Sequence, residues 1–288
     1  MHYPKSKVYF DGSHYIAIPH TTQPWKSKKR KVKKDKNEEK VKEILESKKD
    51  KVKSEKIKEA VEEIDKEVKD IEKSKEIVKK VLNKEKRNRI VRLTRLYRKV
   101  NLQQWTHFCT FTYDSKKLSE EEFKKKLLNC LRHLSNRKGW KYIGVWERSP
   151  INNRLHFHGI FVIPKMIGEI IETKDYSTKT HKMQITYQNT FFLERFGRND
   201  FREIENNSLV YQAVSYILKY IRKTGEKVIY SKHLQTCFVS DILEKDVACK
   251  IGQEDRKLLL FDDFLCIDEG VVMGKVSPEV IKEMPKSN

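Results

Sequence analysis

Hydrophobic and polar positions along the chain fall into three regimes. Lys7 to Ile18 (KVYFDGSHYIAI) alternates on both sides of an Asp-Gly-Ser turn, the pattern of a β-hairpin. From Lys26 to Arg89 the chain is dominated by Lys, Glu, Asp and isolated aliphatics, with no Gly or Pro. There Ile57, Val61, Ile64, Val68, Ile71, Val78 and Leu82 follow steps of four and three, interrupted at Lys75. This seam predicts one long amphipathic helix, docked on the body or paired as a coiled coil. Upstream, Lys26 to Lys36 is a basic run expected to have no structure of its own. Downstream, Arg87 to Lys99 keeps helical spacing and offers a basic face to phosphates.

The third regime has the texture of a globular domain. His107 to Thr112 (HFCTFT) predicts a strand, and Ser119 to Lys138 a helix whose Phe123, Leu127, Leu131 and Leu134 share a face. Tyr142 to Glu147 and Leu155 to Ile163 predict two strands joined by a loop with Pro150, and hence an antiparallel pair. Gln184 to Phe192 predicts another strand, and Val210 to Arg222 a helix. Residues 226–288 give a weaker pattern, with a short strand near Val228 to Tyr230 and an acidic stretch from Phe261 to Glu269. The expected organisation is an N-terminal segment with a hairpin (1–25), a charged helical extension (26–100), a core (101–235) and a C-terminal tail (236–288).

Composition sharpens this picture. The 288 residues carry a formal net charge of +21, with 38% hydrophobic and 36% charged residues. A charge excess of that size points to a polyanionic partner, without distinguishing DNA from RNA or an anionic membrane. The five cysteines are scattered and form no C-x-x-C pair, which argues against a disulfide framework or zinc ribbon and suits a reducing cytoplasm. Met1 to Phe10 lacks an apolar signal core, and no run reaches transmembrane length.

Two clusters carry candidate chemistry. In Arg154-Leu155-His156-Phe157-His158 the histidines are two apart, so in a strand both project from one face. Glu147 ends the preceding strand, and antiparallel pairing brings it beside them. Two imidazoles and a carboxylate, with positions left for water and phosphate, suit Mg²⁺ or Mn²⁺; the same ligands also accept zinc. The second cluster is Tyr216-Ile217-Leu218-Lys219-Tyr220-Ile221-Arg222-Lys223. Tyr216 and Tyr220 share one helix face, as do Lys219 and Lys223. A tyrosine of ordinary pKa, about 10, needs help to act as a nucleophile, and a neighbouring lysine favours the phenolate or neutralises the transition state. Taken singly, each cluster is equally well explained as a polar strand or a half-buried helix.

In order, these residues resemble the HUH endonucleases, specifically the replication initiators of rolling-circle plasmids and small single-stranded-DNA phages. Phe111-Thr112-Tyr113-Asp114 resembles the first motif, the R-L-H-F-H stretch with Glu147 the metal motif, and Tyr216-x-x-Lys219-Tyr220-x-x-Lys223 the nucleophile helix of two-tyrosine microvirus-type initiators. The resemblance spans Gln104 to His233. It implies an α+β fold with a central antiparallel sheet, in the style of an RNA-recognition motif, and helices packed on one face. It also implies metal held by Glu147, His156 and His158, attack by Tyr216 or Tyr220 on single-stranded origin DNA, and a 5′-phosphotyrosine with a free 3′-hydroxyl. Both tyrosines precede x-x-Lys, so the pattern does not rank them.

No G-x-x-x-x-G-K-[ST] occurs in these 288 residues, so unwinding is expected from a host helicase in trans, with a host polymerase extending the primer. Relaxases place the tyrosine ahead of the histidines, and single-strand transposases lack the repeated Tyr-x-x-Lys, so motif order favours an initiator. Two readings of other classes stay open. One is a non-catalytic nucleic-acid-binding protein that stacks bases on Trp105, Trp140 and Trp146; the other is an interaction protein that self-associates through the long helix.

Overall fold

A computed structural model describes residues 2–20, 35–47, 52–149, 153–177, 181–205, 210–217, 227–252 and 256–287. The chain divides into two compact units, one comprising Met1–Ile18 and Arg98–Asn288, the other Pro19–Tyr97.

The Pro19–Tyr97 unit is built from helices α1 (Lys36–Ser47), α2 (Lys53–Val68) and the greater part of α3 (Ile71–Asn101). The predicted single helix is broken between α2 and α3. Lys69 adopts the left-handed conformation (φ 51°) and closes α2 through its N–H to the Asp65 carbonyl. Asp70 then accepts from the Glu72 and Lys73 amides and starts the next helix, a local bond that competes with helix continuation. The seam therefore packs on a shared core of Val41, Ala60, Ile64, Val78 and Val81, while Ile71, at the break, is exposed.

The larger unit has two cores. The first lies on a five-stranded antiparallel sheet ordered β8-β3-β5-β4-β9. Its strands are β3 (His107–Thr112), β4 (Lys141–Arg148), β5 (Leu155–Val162), β8 (Asn199–Glu203) and β9 (Ile229–Tyr230). Helix α4 (Glu120–Lys138) starts in a capping box of Ser119 and Glu122, and its Phe123, Leu127, Leu131 and Leu134 are buried. They share a core with Cys109 and Phe111 of β3, Trp146 of β4 and Phe157 and Phe161 of β5. Period-two alternation sends the intervening residues to the opposite face. The α+β fold with a central antiparallel sheet and packed helices is the one expected.

Close packing of β4 on β5 needs glycine at Gly144. A Cβ there would lie 2.3 Å from the Phe157 ring and 2.8 Å from the His158 carbonyl. Gly144→Ala is expected to cost about 1–3 kcal/mol by overpacking. A urea unfolding curve whose midpoint falls at constant slope checks it; an unchanged midpoint would mean that the ring yields freely.

Gln184 to Phe192 divides differently from the sequence reading. Strand β6 (Ile170–Ser177), absent from that reading, pairs with β7 (Lys182–Asn189) in a separate hairpin. Asn189 then caps helix α5 (Thr190–Arg195), whose Phe192 is buried, so the two phenylalanines belong to a helix. Residues 206–209 lie outside the described set, after which α6 is helical over 210–217.

The second core corrects the reading of the C-terminal region as a tail of little regularity. β1 (His2–Phe10) and β2 (Tyr15–Ile18) form the expected hairpin, and β10 (Cys237–Leu243) pairs along β1 from His2↔Leu243 to Val8↔Phe238. With β11 (Val247–Ile251), β12 (Lys257–Leu260) and β15 (Lys286–Ser287) they make a six-stranded sheet over Val8, Phe238, Ile242, Leu258 and Phe264. The remaining elements are the hairpin of β13 (Leu265–Asp268) and β14 (Val271–Lys275) and the short helix α7 (Pro278–Glu283). An isolated two-stranded hairpin is marginal in water, and the distant C-terminal strands supply what it lacks. Among the described residues no helix is long and apolar enough to cross a membrane.

Candidate active site

The sheet face opposite α4 carries the histidines. β4 and β5 pair with Glu147 opposite His156 and Val145 opposite His158. Glu147, His156 and His158 consequently share one face, with Glu147 and His158 each 9% exposed. His158 Nε2 lies 2.9 Å from Glu147 Oε2. On the other side of β5, strand β3 sets Thr110 opposite His158 and Thr112 opposite His156. The two threonine hydroxyls meet the Nδ1 atoms of these rings at 3.0 Å and 2.7 Å. A hydroxyl that accepts Nδ1–H leaves the Nε2 lone pair for another partner, the usual arrangement behind a ligating histidine. Burial pushes the His156 imidazole down to about 4, with further lowering by His158, Arg154 and Arg198 against an opposing pull from Glu147. His156 is accordingly neutral near pH 7.

Helix α6 brings Tyr216 over this face. Its hydroxyl donates to Glu147 Oε2 at 2.6 Å and lies 3.5 Å from His158 Nε2. Its ring sits edge-on to Phe108 and His158, at centroid distances of 5.8 Å and 5.2 Å. Four residues named from the sequence thus line one cleft of about 480 Å³: Glu147, His156, His158 and Tyr216. Lys219, Tyr220 and Lys223 lie outside the described residues. The His156 and His158 ring centroids are 5.9 Å apart, and among the described residues no three His, Cys, Asp or Glu side chains are gathered tightly enough to enclose an ion.

The rest of the cleft was not singled out in the sequence. Arg198 and Arg202 line it, each oriented by a carboxylate: Arg198 Nη2 to Asp175 at 2.9 Å, and Arg202 Nε to Asp200 at 2.8 Å. Asp200 also accepts the Tyr187 amide at 3.0 Å. The buried Asn189 and Asn199 exchange hydrogen bonds at 2.6 Å and 3.1 Å, fixing the root of the β6–β7 hairpin against β8. The signal was present as Arg198-x-Asp200-x-Arg202, a period-two polar row interleaved with the buried Asn199 and Phe201. Thr110 was legible in the same way, alternating with Cys109 and Phe111.

Trp105, Trp140 and Trp146 are all buried, and the Trp105 and Trp140 indole N–H groups donate to the Val100 and Lys165 carbonyls. These three rings serve the interior and offer no face to a base.

Residues 106–225 match the model of a family described as replication-associated proteins of the ORF2 type, a span covering less than half of the chain. The match contains every residue of the cleft named above and supports a Rep-like replication initiator with DNA as its partner. Neither a curated protein nor a solved structure matches the chain.

Proposed function

We propose that the chain initiates rolling-circle DNA replication by nicking single-stranded DNA with Tyr216, as an HUH-type endonuclease and strand transferase. The observation carrying this reading is the 2.6 Å hydrogen bond from the Tyr216 hydroxyl to Glu147, beside His158, inside the region matching the replication-associated family. A phenol donating to a half-enclosed carboxylate has an acceptor for its proton at the moment it attacks.

A DNA strand lies along the cleft with phosphates at Arg198 and Arg202. The Tyr216 oxygen passes its proton to Glu147 and bonds to phosphorus. The P–O3′ bond breaks, the protein keeps a 5′-phosphotyrosine, and the departing oxygen takes a proton from water to become the 3′-hydroxyl primer. Glu147, His156 and His158 are the residues that would hold Mg²⁺ or Mn²⁺, and the donor set fits: one carboxylate and two imidazoles on one face, each Nδ1 engaged by a threonine. Such an ion, when bound, supplies Lewis-acid polarisation of the phosphate. A carboxylate has two oxygens, so ligation and proton acceptance are compatible at Glu147. In the two-tyrosine scheme Tyr220 performs the next transfer, with Lys219 and Lys223 neutralising charge. Host helicase and polymerase act in trans in the bacterial cytoplasm, and the helical unit is a candidate for self-association.

The direct test is incubation with Mn²⁺ and labelled single-stranded DNA from the protein's own genome, read on a denaturing gel. A metal-dependent adduct that survives denaturation is expected. Tight DNA binding with no adduct across the pool would instead favour a binding module.

The arginines give a separate prediction. Arg198→Ala and Arg202→Ala should each weaken single-strand binding and flatten the dependence of log affinity on log salt by about 0.7 per lost phosphate contact. Fluorescence anisotropy over a salt series checks this; an unchanged slope would remove the arginine from the DNA path.

A further inference from the structure

The β6–β7 hairpin is polar on the side that meets the protein and apolar on the side that meets water. Its inner face joins Thr173, Asp175, Thr186 and Gln188 in a hydrogen-bonded row, with Thr186 and Gln188 buried. Gln184 and Thr186 of this face line the cleft. The outer face exposes Ile170, Tyr176, Met183, Ile185 and Tyr187, with Met183 61% and Tyr176 55% accessible. Only Glu172 and Lys174 interrupt it, adjacent to one another along the same face of β6. Soluble proteins rarely leave a contiguous apolar patch of this kind uncovered, and where they do it marks a binding surface.

We propose that this outer face binds the same face of a second copy of the chain, forming a twofold dimer. The argument is charge and shape self-complementarity. The register places Glu172 opposite Tyr187, Lys174 opposite Ile185, and Tyr176 opposite Met183. A twofold axis crossing both strands between the first two of these rows lays one hairpin face-on against the other. Each Glu172 then meets the other copy's Lys174, each Tyr187 meets Ile185, and each Ile170 meets Tyr176. Every charge finds its opposite and every apolar side chain another apolar one, twice over, as an isologous contact requires. Sheets stacked face to face in this way bury both inner surfaces. A nucleic acid is less well matched: the chain carries +21, yet this face offers one acid and one base, and the acid would oppose phosphate. The inference does not depend on the nicking chemistry.

Sedimentation velocity of the full chain at rising concentration is the test, with far-UV circular dichroism to verify folding. The wild type is expected to move from 34.4 kDa toward twice that mass. Ile185→Glu should remain monomeric throughout. Glu172→Lys and Lys174→Glu should each weaken association, and the double variant carrying both reversals should restore it. That restoration also covers the case in which Ile185→Glu fails to fold. A monomeric wild type, a dimer that survives Ile185→Glu, or a double variant as weak as the single ones would overturn the proposal. So would an Ile185→Glu variant with unchanged mass and lost anisotropy on labelled single-stranded DNA, which would assign the face to nucleic acid.

Discussion

Tyr216→Phe is expected to abolish the covalent protein–DNA adduct while leaving the fold and single-strand binding intact. The hydroxyl makes hydrogen-bond contact with Glu147 and His158, whereas the ring is held by edge contacts with Phe108 and His158 that phenylalanine preserves. Removing the attacking oxygen deletes the bond-forming atom, so adduct formation should fall by three orders of magnitude or more, on the order of what loss of a nucleophile costs other covalent catalysts. Quantitative adduct assays on wild type, Tyr216→Phe, Tyr220→Phe and the double variant provide the measurement. If Tyr220 serves as a second nucleophile, residual adduct in Tyr216→Phe disappears only in the double variant. Undiminished adduct in the double variant would falsify the assignment of either tyrosine.

Glu147→Gln should have the second-largest effect, and it separates charge from shape. Glutamine keeps an oxygen that the Tyr216 hydroxyl can reach, but it neither takes the phenolic proton nor presents a negative ligand. Adduct formation is expected to drop by about 10²–10⁴-fold, the range for loss of a positioned proton acceptor. Mn²⁺ affinity, followed by calorimetric titration without DNA, should fall at least about tenfold, as metal sites lose when a ligand or its support is altered. Normal Mn²⁺ affinity together with slow adduct formation would give Glu147 the proton-acceptor role alone. Wild-type values of both would take it out of the chemistry.

Both predictions rest on a site whose parts were visible in the sequence to unequal degrees. His156, Phe157 and His158 announce their own geometry, because alternation in a strand is a local property: whichever strand this is, both histidines face one way. The Ser119 capping box, the α4 stripe and the strands β3, β4 and β5 were legible for the same reason, each being specified within a dozen residues. The break at Lys69 and Asp70 was hidden because a heptad seam continues smoothly through it; only the packing of α2 and α3 on one core turns those residues into a stop and a start. The C-terminal strands were hidden because each is short and their partner is the N-terminal hairpin, at the other end of the chain.

What the sequence determined by itself, then, was the set of local elements, the shared face of His156 and His158, the basic character of the chain and the reactive side-chain types. Tertiary structure decided which of these meet. Antiparallel registry placed Glu147 opposite His156, and β3 supplied Thr110 and Thr112 to the two rings. Docking of α6 set the Tyr216 hydroxyl 2.6 Å from a carboxylate 69 residues away, and the hairpin root aligned Arg198 and Arg202 along the cleft. The division has a physical cause. Backbone periodicity is written into neighbouring residues, whereas a contact across the sheet is fixed by the register of strands that the chain brings together only when the apolar faces of α4, β3, β4 and β5 are buried at once.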